Sequence, residues 1–402
     1  MRFERRATWA TAALAASVVL GSFGAAAAAN STFDQSPTPA PSAAASPAPA
    51  PTAAPVPVGK VNVNAVGTVT QILTNGVNAT GSLDTPNGAD RASRSNVSNL
   101  SVLVGKPNGD FRFGVMAGLY SIPVVGFAGN KTADPNANTG LYGPVPLGYV
   151  EYAPSAAFNL TVGKLATLIG NESTYTHQNT NIQRGIVWNM ETAVSRGVRF
   201  TTAQGPLTVN LGINDGFYSG RYLGFEGSLG VTPTPSFGYA FNFEIPNASA
   251  PANPTASIAN RRLYNPSLTF ASGKWQFQPN VLFVDSPVSA TLGYTRDEQA
   301  FGAVLPASVS LSSVWSAAFR VEYGKNGSNP SDTSPNANLL GYGPGSSAWS
   351  YTLTPAYKNK SILARAEFSQ VSVTNFTPGL AFGTAGTRAN QSRIAIELGY
   401  QY

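Results

Sequence analysis

The 402-residue chain has no cysteine and one histidine, His177. The first absence excludes a disulfide scaffold, a zinc–thiolate site, an iron–sulfur cluster and a lipid-modified N-terminal cysteine. The second excludes a multi-histidine metal centre. Charge is scarce too: Asp, Glu, Lys and Arg make up 11% of residues, against roughly 25% in an average soluble domain. Apolar residues do not fill the gap, since 43% hydrophobic is ordinary; Gly (40), Pro (30) and small polar residues do. An apolar run of about 20 residues, the length a membrane helix needs, occurs once, at the N-terminus. This argues against both a helical transporter and an average soluble enzyme, and no cofactor is expected.

The N-terminus reads as an address. Arg2, Arg5 and Arg6 precede an uncharged, Ala-rich stretch that closes in Ala27, Ala28 and Ala29, the pattern of a secretory signal over 1–29. Removing its three Arg and one Glu takes the net charge from +6 to +4, too weak and dispersed to argue for nucleic acid. Residues 30–60 are rich in Pro and Ala, and proline at this density blocks helix and ladder hydrogen bonds. They are expected to form an extended periplasmic linker.

Over 61–402 the hydrophobic period is two. Ile394, Ile396, Leu398, Tyr400 and Tyr402 alternate with Arg393, Ala395, Glu397, Gly399 and Gln401, so one face of a strand is apolar and the other polar or small. Such faces run for about five alternate positions, the 9–11 residues of a tilted transmembrane strand. Aromatics sit near strand ends (Trp275, Trp349, Tyr357, Tyr400), as interfacial girdles require. The chain closes on an aromatic, Tyr402, resembling the assembly signal of bacterial outer-membrane barrels. The expected fold is all-β: a transmembrane, antiparallel, up-and-down β-barrel.

Strands are expected near 61–72, 96–104, 111–121, 147–153, 158–168, 194–202, 206–214, 223–231, 237–245, 263–271, 274–284, 311–323, 348–357, 361–372 and 391–402. The connections alternate long and short, like outer loops and periplasmic turns. With both ends in the periplasm the count is even, so a further strand is assigned to 288–296. The total is about sixteen, or fourteen if two weak segments are misread.

A barrel this wide leaves a water-filled lumen. Its inner face is expected to carry Arg112, Glu151, Arg199, Glu226, Glu244, Arg320, Glu322, Arg365, Glu367, Arg393 and Glu397. These charges alternate in sign. They either give the pore wall a transverse field or merely rigidify it. The third long connection, 169–193, holds Glu172, His177, Arg184 and Glu191 and is the candidate constriction if it folds inward. The loops 122–146, 246–262 and 324–347 read as solvated surface loops.

Val162-Gly163-Lys164 through Ile169-Gly170-Asn171-Glu172, then Ser195-Arg196-Gly197, then Gly212-Ile213-Asn214-Asp215-Gly216 resemble motifs of the putative beta-barrel porin-2 (OmpL-like) family. The resemblance is strong over about 160–217 and implies a bacterial outer-membrane barrel with channel activity. The approach to Gly197 departs from the pattern, with Val194-Ser195-Arg196 where a more polar run is expected. The matching residues Gly163, Lys164, Gly170, Glu172, Gly197, Asn214 and Gly216 read as structural, with Lys164 and Glu172 expected to pair at the outer rim.

The reading is a porin-like channel in the outer membrane for passive diffusion of small hydrophilic solutes and ions, with weak selectivity. Its expected partners are outer-membrane lipid, the barrel-assembly machinery, small polar solutes and further copies of itself. The alternative is a non-conducting surface-display, adhesion or structural barrel. An enzyme is not expected: His177 and Ser173 lie close in sequence, but no Gly-x-Ser-x-Gly elbow surrounds them. The carboxylates Glu172, Glu191, Asp215 and Glu226 have no fixed separation.

Overall fold

A computed structural model of the chain describes residues 60–79, 90–128, 140–216, 218, 220, 223–247 and 261–402. The expected signal segment 1–29 and all but Lys60 of the linker lie outside the described residues.

The period of two becomes a closed sheet. The strands are β1 (Asn62–Asn75), β2 (Ser93–Lys106), β3 (Phe111–Tyr120), β4 (Leu147–Ser155), β5 (Phe158–Ala166), β6 (Val194–Gln204), β7 (Leu207–Asn214), β8 (Gly224–Thr234), β9 (Phe237–Ile245), β10 (Arg262–Ser272), β11 (Trp275–Phe277), β12 (Asn280–Ser286), β13 (Glu298–Ser310), β14 (Trp315–Asn326), β15 (Ser347–Asn359), β16 (Ile362–Thr374) and β17 (Asn390–Gln401). Each pairs antiparallel with its neighbours, and β1 pairs with both β2 and β17. At the seam, the backbones of Ala65 and the terminal Tyr402 exchange hydrogen bonds of 3.0 and 2.9 Å. No edge is left for lipid to meet, as a bilayer demands. β11 and β12 are two halves of one stave, since both pair with β10 and with β13. The break falls at Pro279, which has no N–H for the ladder. The barrel therefore has sixteen staves, not fourteen.

The sixteenth stave is not where the sequence placed it. Residues 288–296 form a small loop, with a 3-10 turn at Ala290–Leu292 and a bridge between Ser289 and Tyr294. The stave is β13, and the strand expected at 311–323 starts later, at Trp315. The inward residues of β13 include Ala300, Gly302 and Val304, so both its faces are apolar and the alternation vanishes. A lumen-filling segment lies against that inner face: a Cβ on Gly302 would come within 2.5 Å of Val187.

Side chains sort by parity. On β17, Ile394, Ile396, Leu398 and Tyr400 are exposed to the outside, while Arg393, Ala395 and Glu397 are buried inward. Connections alternate without exception. One end of the barrel carries turns such as 107–110, 156–157, 205–206 and 360–361; the other carries 76–92, 121–146, 167–193, 327–346 and 375–389. All the long connections thus lie at one end of the barrel and all the short turns at the other. The buried apolar cluster lies inside the cylinder. It unites wall residues such as Leu282 and Val371 with loop residues Val124, Phe127, Ile186, Leu340 and Phe382. The loops 122–146 and 324–347, expected to be solvated, thus send part of their length inward. Only Asn247 and Arg261 and their immediate neighbours are described from 246–262.

Candidate functional site

The connection 167–193 leaves the wall between β5 and β6 and crosses the lumen. Its far attachments are on β14 to β17. β5 is the fifth stave and β14 the thirteenth, eight of sixteen apart, so the segment spans a full diameter. Thr176, Ile182, Gln183, Arg184, Ile186, Val187 and Met190 are fully buried on this path.

Buried charges on the wall hold it there. Glu322 accepts from the backbone N–H of Ile186 (3.1 Å) and Val187 (3.2 Å). Glu367 accepts from the N–H of Ile182 (2.5 Å) and the side-chain amide of Gln183 (2.9 Å). Arg320 bridges to Glu172 at 2.5 Å and to its neighbour Glu322 at 3.2 Å, and donates to Gln183 O at 2.9 Å. Arg365 pairs with Glu397, its cross-strand partner, and donates to Thr176 O at 2.9 Å and to Asn179 O. Arg393 donates to Gln183 Oε1 (3.1 Å) and Val124 O (2.8 Å). These wall charges therefore ligate loop backbone as much as one another. Backbone groups far from water need such partners.

A second inward segment, 121–128, runs beside the first. Val125 N donates to Arg184 O at 2.9 Å and Arg184 N to Pro123 O at 2.7 Å. This segment belongs to the connection 122–146, expected from the sequence to be a solvated surface loop. Its signal is the apolar run Ile122-Pro123-Val124-Val125 within a loop taken as polar. Tyr342 stacks on Phe127 at 5.5 Å and closes the cluster from above.

The remaining inner-face candidates form separate pairs. Arg112 and Glu151 face each other on β3 and β4 at 3.0 Å and stay partly exposed. Arg199 reaches over Gly212 on β7 to grip both oxygens of Glu226, at 2.7 and 3.0 Å. Glu244 is fully buried on β9, opposite Glu226.

Within the crossing segment, Asn171, Glu172, Ser173, His177, Gln178 and Asn179 keep partial exposure and Thr180 is open to water. His177 contacts Asn99 Oδ1 at 3.3 Å. Burial, reinforced by Arg365, Arg184 and Lys358, pulls its pKa down to about 3. Burial likewise lowers Arg184 to about 10 and pushes the Glu191 carboxyl well above the carboxylate range, helped by Glu172 and Glu322.

A base held neutral in the fold takes up a proton on unfolding once the pH drops below its unfolded value of about 6.5. The stability linked to neutral His177 is therefore complete above that pH and is lost as pH falls toward 3. Urea midpoints should fall more steeply over this window in the parent protein than in His177→Asn. Parallel curves would contradict this.

The motif residues divide. Gly163 faces Gly197 across β5 and β6, with φ +149°. Asn214 Oδ1 accepts from Gly216 N at 2.8 Å. Gly170, φ +77°, packs against the Glu191 carboxylate. The expected Lys164–Glu172 pair does not form: Lys164 donates to Tyr142 O (3.0 Å) and Val145 O (2.8 Å), while Glu172 turns inward to Arg320 and to Gly185 N (2.8 Å).

Among solved structures, the outer membrane channel DcaP of Acinetobacter baumannii is similar at TM-score 0.55 and 10% identity, covering 85% of this chain and 97% of that one. Outer-membrane expressed OmpT of Vibrio cholerae is similar at TM-score 0.54 and 10% identity, with coverage of 85% and 97%. A trimer form of the Vibrio cholerae OmpT gives the same score and identity, with coverage of 85% and 99%. At such identity the likeness concerns the fold alone. No curated protein matches the sequence. The family model of putative beta-barrel porin-2, OmpL-like, matches residues 62–402, the entire barrel, and the chain belongs to that family.

Proposed function

We propose that the protein is a channel for passive diffusion of small hydrophilic solutes and ions across the outer membrane, with weak ion selectivity. The observation that carries this reading is the segment 169–193, seated across a diameter of the barrel by buried charged hydrogen bonds. It leaves partly exposed polar groups at Asn171, Glu172 and Ser173 and from His177 to Thr180. Those groups form the constriction in this reading. Glu172 there is offset by Arg320, and the neutral His177 adds no charge. The paired inner-face residues Arg112, Glu151, Arg199, Glu226, Arg365 and Glu397 give no ring of one sign, so neither anions nor cations are strongly favoured. Glu244, Glu322, Glu367, Arg320 and Arg393 complete the same wall.

No chemistry is assigned to the site. Ser173 Oγ donates to Gln178 Oε1 at 2.5 Å, not to His177. Export by the signal 1–29, a periplasmic linker over 30–60, and insertion guided by Tyr402 belong to the same proposal. So does assembly with further copies, since a barrel of similar fold is described as a trimer. Planar-bilayer recording tests the channel. Stepwise conductance with a reversal potential near zero in a salt gradient is expected. A permeability ratio far from unity would overturn weak selectivity, and a silent bilayer would favour the display or structural alternative.

A further inference from the structure

The motif around Gly163-Lys164 and Arg196-Gly197 is not consumed by the lumen. On the outside of the barrel, over β4 to β9, the same residues border an open depression of about 1210 Å³. Its apolar walls include Val162, Val198, Phe200, Leu211, Ile213 and Phe225. Glycines make it concave. Gly148 and Gly227 contribute no side chain on the outer face, and Gly163 and Gly197 let β4, β5, β6 and β7 approach where a Cβ would overlap a neighbouring backbone oxygen.

The end of the depression nearest the long loops is cationic. Lys164 and Arg196 are register partners on β5 and β6. Parity puts both on the lipid side, in line with Val162 and Val198. Tyr218 lies between them, its ring 5.4 Å from Lys164 Nζ and 4.1 Å from the Arg196 guanidinium. Asp215 balances Arg196 at 2.7 Å. Among the described residues no carboxylate pairs with Lys164; its ammonium donates to the neutral carbonyls of Tyr142 and Val145, which leave its charge uncompensated there.

We propose that this depression binds a phosphorylated glycolipid of the outer leaflet, its acyl chains lying on the apolar floor and its phosphate at the rim beside Lys164. The shape favours chains over a second barrel. Another cylinder is convex and would ride on the rims, whereas flexible chains fill a concave surface and leave no void. The charge favours an acidic headgroup, because a cation at the membrane interface attracts anionic lipid. This site is independent of conduction.

The full chain, stripped in zwitterionic detergent, is offered diphosphorylated lipid A, its dephosphorylated form, or phosphatidylglycerol, and bound lipid is counted by native mass spectrometry. Retention of the diphosphorylated glycolipid at least fivefold above the other two is expected. Lys164→Gln should erase that preference, and Leu211→Trp, which fills the floor, should abolish retention altogether. Both variants must keep the heat-modifiable gel shift of the parent. Equal retention of all three lipids, or unaltered retention in both folded variants, overturns the proposal. So does a Leu211→Trp variant that leaves lipid in place but dissociates an oligomer, which would assign the depression to a subunit interface.

Discussion

Replacing Arg320 with alanine is expected to lower the urea-unfolding free energy of the reconstituted barrel by about 3–5 kcal/mol, the usual cost of removing one partner from a buried ion pair. The guanidinium is buried and serves Glu172, Glu322, Gln183 O and Thr352 Oγ1 at once. Its loss leaves two carboxylates without their countercharge. Glu322 still has the N–H groups of Ile186 and Val187 and the hydroxyl of Ser350; Glu172 keeps only Gly185 N. The Glu172 end should therefore detach first, freeing the segment that carries His177. Arg320→Lys should recover part of the stability, since an ammonium restores the charge but lacks the fork that reaches four acceptors. Adding Glu172→Gln to Arg320→Ala should also recover part, because a neutral amide costs less to leave unpaired. If Arg320→Ala lowers stability by under about 1 kcal/mol, as at an exposed surface pair, the buried network is not what seats the loop.

What was legible in the sequence follows from which contacts are local. Outward residues meet lipid, so their hydrophobicity is dictated strand by strand, and the rows Ile394 to Tyr400 or Trp315 to Tyr323 declare themselves. Connection length is local too, and its alternation marked the long connections 76–92, 121–146 and 167–193, though not the loop at 287–297. The inner face is different, because its composition depends on what fills the lumen. Where water and charged ligands to the loop are required, as on β14, β16 and β17, polar alternation persists and the eleven inner charges could be named. Where Val187 and Met190 press on the wall, β13 has Ala300, Gly302 and Val304 instead. The alternation disappears, and the strand was assigned to 288–296. The missed stave and the inserted segment are thus one fact seen from two sides. The same logic explains 121–128: its apolar residues match a partner, Arg184 to Met190, that lies some sixty positions away. Lys164 and Glu172 look like partners by proximity in the chain. Glu172 instead meets Arg320, 148 residues on, a pairing visible only once the barrel closes.

The inner charges were open to two readings, a transverse field or a stiffened wall, and their geometry bears on the choice. Glu322 and Glu367 spend their acceptors on loop N–H groups, and Arg365 and Arg393 spend donors on loop carbonyls. Charges engaged this way are poor ligands for a passing solute. In the proposed channel, any field would come from groups that keep some exposure: Arg112 and Glu151 toward the short-turn end, and Glu172 at the edge of the crossing segment.

That division yields the second large effect. Deleting residues 172–186 should raise single-channel conductance severalfold while leaving the reversal potential in a salt gradient unchanged. The deletion removes the part of the crossing segment that carries most of the partly exposed polar groups. It takes away one carboxylate, Glu172, and one guanidinium, Arg184, so the charge balance of the path is preserved. On the wall it uncovers Glu322, Glu367 and Glu397 together with Arg320, Arg365 and Arg393, three of each sign. Arg365 remains paired with Glu397, and Arg320 with Glu322. Width should therefore change without selectivity. A simultaneous shift in reversal potential would mean that Glu172 or Arg184 acts on permeating ions directly. Conductance equal to that of the parent would show that ions pass elsewhere, and the constriction assigned to 169–193 would be wrong. A milder variant separates loop release from loop loss. Glu322→Gln with Glu367→Gln weakens the backbone anchors of residues 182–187 yet keeps the segment. It should give flickering transitions between the parent and the enlarged level, because a neutral amide oxygen holds an N–H more weakly than a carboxylate does.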